Sequence, residues 1–102
     1  MMINGEKTNL LKLVYDREND LFFWQYEANK QLGISDEKLF EMLNELSMYT
    51  FIVISYDAIS VKHLSDVCLT LRGLDYLYNH GLISDFDYRL RSARILHGQH
   101  EV

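Results

Sequence analysis

The sequence predicts an α+β fold in a single domain, and three observations predict it. Two short β-branched or apolar runs, Phe51 to Tyr56 and Val67-Cys68-Leu69, lie close together with a polar stretch between them. Amphipathic helical patterns both precede and follow this pair. The chain has 102 residues, enough for one core and not for two.

Taken in order, Lys7 to Tyr15 places Leu10, Leu11 and Val14 at helical spacing, with Thr8 available as a cap. The acidic and polar run from Asp16 to Asp20 is a turn. Leu21-Phe22-Phe23-Trp24 is short and aromatic and is expected as a brief strand. Gln25 to Leu32 is a short helix ending at Gly33, the residue suited to a left-handed turn. Ser35 caps the next helix, with Asp36 and Glu37 in its first turn, where negative charge is favourable. Its apolar stripe is Leu39, Phe40, Leu43 and Leu46, extending to Thr50.

Phe51 to Tyr56 and Val67 to Leu69 then pair as a hairpin, with residues 57 to 66 as its loop. Thr70 caps a helix from Leu71 to Asn79 that closes at Gly81. Ser84 caps the last helix, about 85 to 97, through a capping-box pattern with Asp87 in the reciprocal place. The core spans about residues 7 to 81. This order, a short helix, a tight turn, a second helix, then a hairpin, is that of a winged helix-turn-helix. It carries a two- to three-stranded antiparallel wing sheet and extra C-terminal helices.

Composition narrows the function. Hydrophobic residues make up 48% and charged residues 25%, which is globular rather than disordered. Net charge is -5 and the pI near 5.2, so any contact with DNA must come from locally gathered cations. A single cysteine, Cys68, forms no internal disulfide, and its apolar neighbours predict a structural thiol in a reducing cytoplasm. Glu6 and Lys7 interrupt the start before an apolar signal segment forms. The longest stretch free of Asp, Glu, Lys and Arg, residues 46 to 56, is far shorter than the roughly 20 residues needed to span a bilayer.

Two stretches resemble a known group. Tyr26-Glu27-Ala28-Asn29-Lys30-Gln31-Leu32-Gly33-Ile34-Ser35 is similar to the short helix and turn of many bacterial winged-helix proteins. Leu69-Thr70-Leu71-Arg72-Gly73-Leu74-Asp75-Tyr76-Leu77 resembles the LT-x-x-G-x-x-YL step that opens the helix after the wing. That step recurs in PadR- and MarR-type regulators and in small YjcQ-like proteins of bacteria and their phages. The YjcQ-like group resembles the chain most in length and in the residues just past the motif, here Tyr78-Asn79-His80-Gly81. The resemblance covers roughly residues 7 to 81 and implies a bacterial or phage DNA-binding, transcription-regulatory protein. One position departs: Asn29 stands where the group has a small alanine, with Ala28 one step earlier. Either the two helices cross differently or the amide bonds locally. Independently of the resemblance, Thr70 satisfies free amides at the helix start and Gly73 permits a close approach of a neighbouring element.

The third helix carries the functional question. With Leu39 and Leu43 inward, its outer side shows Glu37, Lys38, Glu41, Asn44, Glu45 and Met48. DNA readers offer Arg, Lys, Asn or Gln to bases, and glutamates oppose phosphate. The DNA-contact candidates are Lys38 and Asn44 on this helix and Lys62 and His63 in the wing. The competing reading is a protein-interaction module using the acidic face Glu37, Glu41 and Glu45.

On the last helix, Phe86, Leu90, Ala93 and His97 share a face expected to pack on the domain. Tyr88, Arg91 and Ile95 are then expected outward as a partner or homodimer contact. Arg89, Arg91 and Arg94 also concentrate three of the ten basic residues. Phe23, Trp24 and Tyr26 are expected in the core. No catalytic constellation, phosphate loop or metal-ligand cluster is present in the sequence, and His63, His80, His97 and His100 are scattered. The expectation is a non-enzyme without cofactor or metal.

Overall fold

The computed structural model describes residues 3–100. Its elements are α1 (Gly5–Asp16), a π-helical turn (Phe23–Glu27) leading into α2 (Ala28–Leu32), and α3 (Asp36–Met48). Then come β1 (Ile52–Ile54), a 3-10 turn (Val61–His63), β2 (Val67–Leu69), α4 (Leu71–Asn79) and α5 (Asp85–His100). The fold is α+β, with five helices around one two-stranded antiparallel sheet. Ile52 pairs with Leu69, Val53 with Cys68 and Ile54 with Val67.

Each helix start has a local cause. Asn4 rather than Thr8 caps α1, its Oδ1 accepting from the Lys7 amide at 2.9 Å. Thr8 is instead inside the helix. Ser35 caps α3 by accepting from the Lys38 amide at 3.1 Å, and Thr70 caps α4 by accepting from the Gly73 amide at 3.1 Å. Gly33 takes φ +68° at the turn between α2 and α3. The last helix runs through residue 98, where the sequence suggested a stop.

The expected strand at Leu21 to Trp24 does not form. Those residues are helical, because Asp20 is a cap rather than only a turn residue. Its Oδ1 accepts from the Phe23 amide at 3.2 Å and its carbonyl from the Trp24 amide at 3.1 Å. The π turn that comes next widens the helix by about one residue per turn, and Phe23, Trp24 and Ala28 all reach the core. Phe22 and Tyr26 are left outside with ring centroids 5.3 Å apart, so Tyr26 is not a core residue as expected.

A third strand is therefore absent among the described residues, and one residue stands in for it. Asn19, at φ +60°, donates its amide to the Val67 carbonyl at 2.9 Å. Its Oδ1 accepts from the Val67 amide at 3.3 Å and from the Cys68 thiol at 3.2 Å. The side-chain amide thus supplies the acceptor that a strand carbonyl would offer, as asparagine's short polar side chain allows. Cys68 is half-buried, and desolvation pushes its thiol above the ordinary value, so it is a poor nucleophile.

The core gathers Leu10, Leu11 and Val14 of α1, Phe23 and Trp24, Leu39, Met42, Leu43 and Leu46 of α3, the hairpin residues Ile52, Val67 and Leu69, and Leu74 and Leu77 of α4. The tightest joint lies where α4 crosses the start of β1. A Cβ on Gly73 would sit 2.2 Å from the Phe51 carbonyl oxygen. That same oxygen accepts from the Thr70 amide at 3.1 Å, and Thr70 Oγ1 donates to the Thr50 carbonyl at 2.6 Å.

Gly73→Ala is expected to destabilise the domain by about 3 kcal/mol or more, because a backbone atom must move to admit the methyl group. Urea denaturation checks this, and a loss below about 1 kcal/mol would mean that α4 slides freely on β1.

Candidate functional site

The candidate site is built on α3. At about 100° per residue, burial of Leu39, Met42, Leu43 and Leu46 fixes the helix against the core. The outermost stripe is then Glu37, Glu41, Asn44 and Met48. Glu37, Glu41 and Met48 are exposed and Asn44 is half-buried. The stripe's C-terminal end opens on a groove of about 350 Å³ lined by Asn44, Ser47, Met48, Ile54, Ser55, Tyr56 and Ala58. Met48 is 81% exposed at its rim, and Tyr56 is fully exposed. The groove mixes polar and apolar side chains, and Glu37 and Glu41 lie outside it, toward the N-terminal end of the stripe.

The charges suggested by sequence do not gather. Glu45 lies on the α1 side of the helix, where Lys7 Nζ meets its carboxylate at 2.5 Å. This hydrogen bond holds the Lys7 ammonium above its ordinary pKa. The acidic face thus reduces to Glu37 and Glu41. Lys38 is exposed on the same side as Glu45, about 120° around the helix from Asn44.

Lys62 is exposed and lies beside the start of α3. Its ammonium is 4.0 Å from Asp36 and 4.5 Å from the centre of the Tyr26 ring. His63 Nδ1 is 2.8 Å from Ser60 Oγ. The cause is the hairpin loop, which folds back rather than extending. Val61 and Leu64 are buried, and Gln25 Nε2 donates to the Leu64 carbonyl at 2.9 Å. Lys38, Asn44, Lys62 and His63 consequently form no common basic strip.

The face of α5 is the reverse of the one expected. Tyr88 and Ile95 pack against the core, while Phe86 is 73% exposed and Leu90 55% exposed. The reason is polar and long-range. Arg91 donates to the Tyr15 carbonyl at 3.2 Å through Nη2 and to Glu18 Oε2 at 3.0 Å through Nη1, with its guanidinium 4.1 Å from the Tyr15 ring centre. Tyr88 donates to Asp75 and stacks on Tyr78 at 4.4 Å, and Tyr78 donates to Asp85. Arg91 is thereby turned away from Arg89, while Arg94 lies beside it at a small pocket with Tyr15, Asp16, Glu18 and Asn19.

Met48, Ile54, Tyr56 and Ala58 were missed as a set by sequence reasoning, because they come together only when β1 packs beside α3. Met48 was visible as an outward apolar residue, the one signal available. Among the described residues no group of three or more His, Cys, Asp or Glu could hold a metal ion. No helix among them is long and apolar enough to cross a membrane. No family model, curated protein or solved structure matches the chain.

The tyrosines that clamp α5 give a pH prediction. Hydrogen bonds to Asp85 and Asp75 raise the Tyr78 and Tyr88 hydroxyls above the ordinary 10.0. A group raised in the folded state stabilises it below the unfolded value and loses that contribution as pH rises through the folded value. The α5 amides should therefore keep their hydrogen-exchange protection to about pH 10 and lose it above. The double variant Tyr78→Phe, Tyr88→Phe should lack that alkaline step. Titration of both hydroxyls at or below the ordinary value would contradict the clamp.

Proposed function

We propose that the chain is a non-enzymatic domain of winged-helix type whose α3 face binds a protein segment rather than the DNA major groove. The observation that carries this is the stripe Glu37-Glu41-Asn44-Met48 running into the groove walled by Ile54, Tyr56 and Ala58. A duplex would bring phosphates against Glu37 and Glu41, at a cost to the electrostatic attraction that dominates such binding. A protein segment with apolar residues for the groove and lysine or arginine for the two glutamates meets complementary chemistry along the whole stripe.

The state of the cations supports the same reading. Lys62, the residue best placed in the hairpin loop to meet phosphate, already lies between Asp36 and the Tyr26 ring. A second reading, transcription-regulatory DNA binding, draws on the element order, on the resemblance of the Thr70 to Leu77 step to YjcQ-like, PadR- and MarR-type proteins, and on exposed Lys38 with half-buried Asn44.

The test uses a fluorescein-labelled amphipathic helical peptide of leucine and lysine, monitored by anisotropy. The expectation is binding in the micromolar range, weakened roughly tenfold by Glu37→Lys with Glu41→Lys and by Met48→Ser. Leu90→Ser, on the far helix, should leave it unchanged. No binding, or equal loss from Leu90→Ser, would refute the proposed groove.

A further inference from the structure

Phe22 and Tyr26 form an aromatic pair that folding leaves uncovered. Their ring centroids are 5.3 Å apart and their planes are inclined at 46°. Phe22 is 63% exposed and Tyr26 is 45% exposed. Close by is Asp36, the first residue of α3. Among the described residues Asp36 forms an ion pair with Lys62 alone. Aromatic faces and a carboxylate together attract a cation.

The chain demonstrates this attraction with a cation of its own. The Lys62 ammonium lies 4.5 Å from the Tyr26 ring centre and 4.0 Å from Asp36 Oδ2. The fit is loose. At that separation the ammonium is too far away to hydrogen-bond the carboxylate, and the Lys62 side chain is 49% exposed. Buried Val61 and Leu64 anchor the backbone on either side of it. The long flexible stem is left free to swing away.

What Lys62 leaves unsatisfied suits a guanidinium better. An arginine lies flat on an aromatic ring and bonds a carboxylate through two parallel N–H groups, which an ammonium cannot do. It is also more weakly hydrated, so bringing it to the site costs less.

The cluster is in line with the α3 groove. At about 100° per residue, Asp36, Phe40 and Ser47 share the flank of α3 that meets the hairpin, and Ser47 lines the groove. Asp36 and Ser47 are separated by about 16 Å along the helix axis, at about 1.5 Å per residue.

We infer that Phe22, Tyr26 and Asp36 form an arginine subsite of the α3 surface, which Lys62 covers in the free chain and vacates when a partner's arginine enters. The inference rests on the proposed binding of a protein segment at α3, and it sharpens the partner. That segment carries apolar residues for the groove and an arginine about 16 Å away, about three turns of a helix.

NMR of the full chain with ¹³C-labelled lysine tests this. It follows the Lys62 ε-methylene protons, which the Tyr26 ring current shifts upfield. One probe is N-acetyl-arginine amide, added to roughly 100 mM, as befits a single weak contact. The other is the leucine–lysine peptide with one lysine near its end replaced by arginine. Both should move the Lys62 signals toward those of a free lysine, whereas N-acetyl-lysine amide and a citrulline version of the peptide should not. The arginine peptide should bind roughly fivefold more tightly than the citrulline one. Tyr26→Leu, at an exposed position, should remove that difference, and Lys62→Ala should enlarge it. Met48-dependent peptide binding with unmoved Lys62 signals would overturn the subsite and leave the groove standing. A response to the arginine amide without peptide binding would support the subsite and refute the groove. An equal response to the lysine amide, or no response to either arginine probe, would overturn the inference.

Discussion

The contact between Gly73 and the Phe51 carbonyl sets the rest of the domain in place. Only a residue without a side chain lets α4 lie directly on the backbone where β1 begins. Around it, Thr70 both caps α4 and binds the Thr50 carbonyl, and Thr50 itself takes the left-handed conformation at φ +63°. That conformation is costly for a β-branched residue. It ends α3 sharply and sends the chain straight into the strand. The joint therefore fixes two things together: where α4 sits, and the angle at which β1 leaves α3.

The groove is a consequence of that angle. Because only residues 49 to 51 separate α3 from β1, Ile54 and Tyr56 come beside Asn44 and Met48. The hairpin loop then returns over the π turn, anchored by buried Val61 and Leu64. Its fold-back places Lys62, still exposed, beside Asp36 and over the Tyr26 ring. The geometry that opens a groove at one end of α3 is thus the geometry that sets a cation beside Asp36 at the other end. The proposed binding of a protein segment in place of a duplex rests on both.

Much of this was readable from residues whose effect is local. Ser35 and Thr70 cap where they were expected to, Val67 to Leu69 is a strand, and Gly33 and Gly73 serve the backbone roles their positions suggested. Ala28, not Asn29, is the fully buried residue of α2. One failure is local, the cap that Asp20 makes on residues 23 and 24, and the others involve distant partners. Asp20 looked like one more acid in a turn, and only the helix it caps distinguishes it. On α5, Phe86 and Leu90 have more apolar character than Tyr88 and Arg91, so periodicity favours the wrong face. What decides it is polar: Asp75, Glu18 and the Tyr15 carbonyl lie on other elements. Likewise, Glu45 and Lys62 count as free charges in the sequence but are paired across elements in the fold, by Lys7 and Asp36.

The proposed preference for a protein segment over a duplex rests on how little positive charge α3 and the hairpin loop gather, Lys38 standing exposed on its own side of α3. Titrating a labelled mixed-sequence DNA duplex with the protein at about 50 mM and about 200 mM salt tests it directly. The predicted result is no anisotropy change at high micromolar protein at either salt. Binding that weakens steeply with salt, and that Lys38→Ala or Lys62→Ala reduces, would contradict it and establish the DNA-binding reading instead.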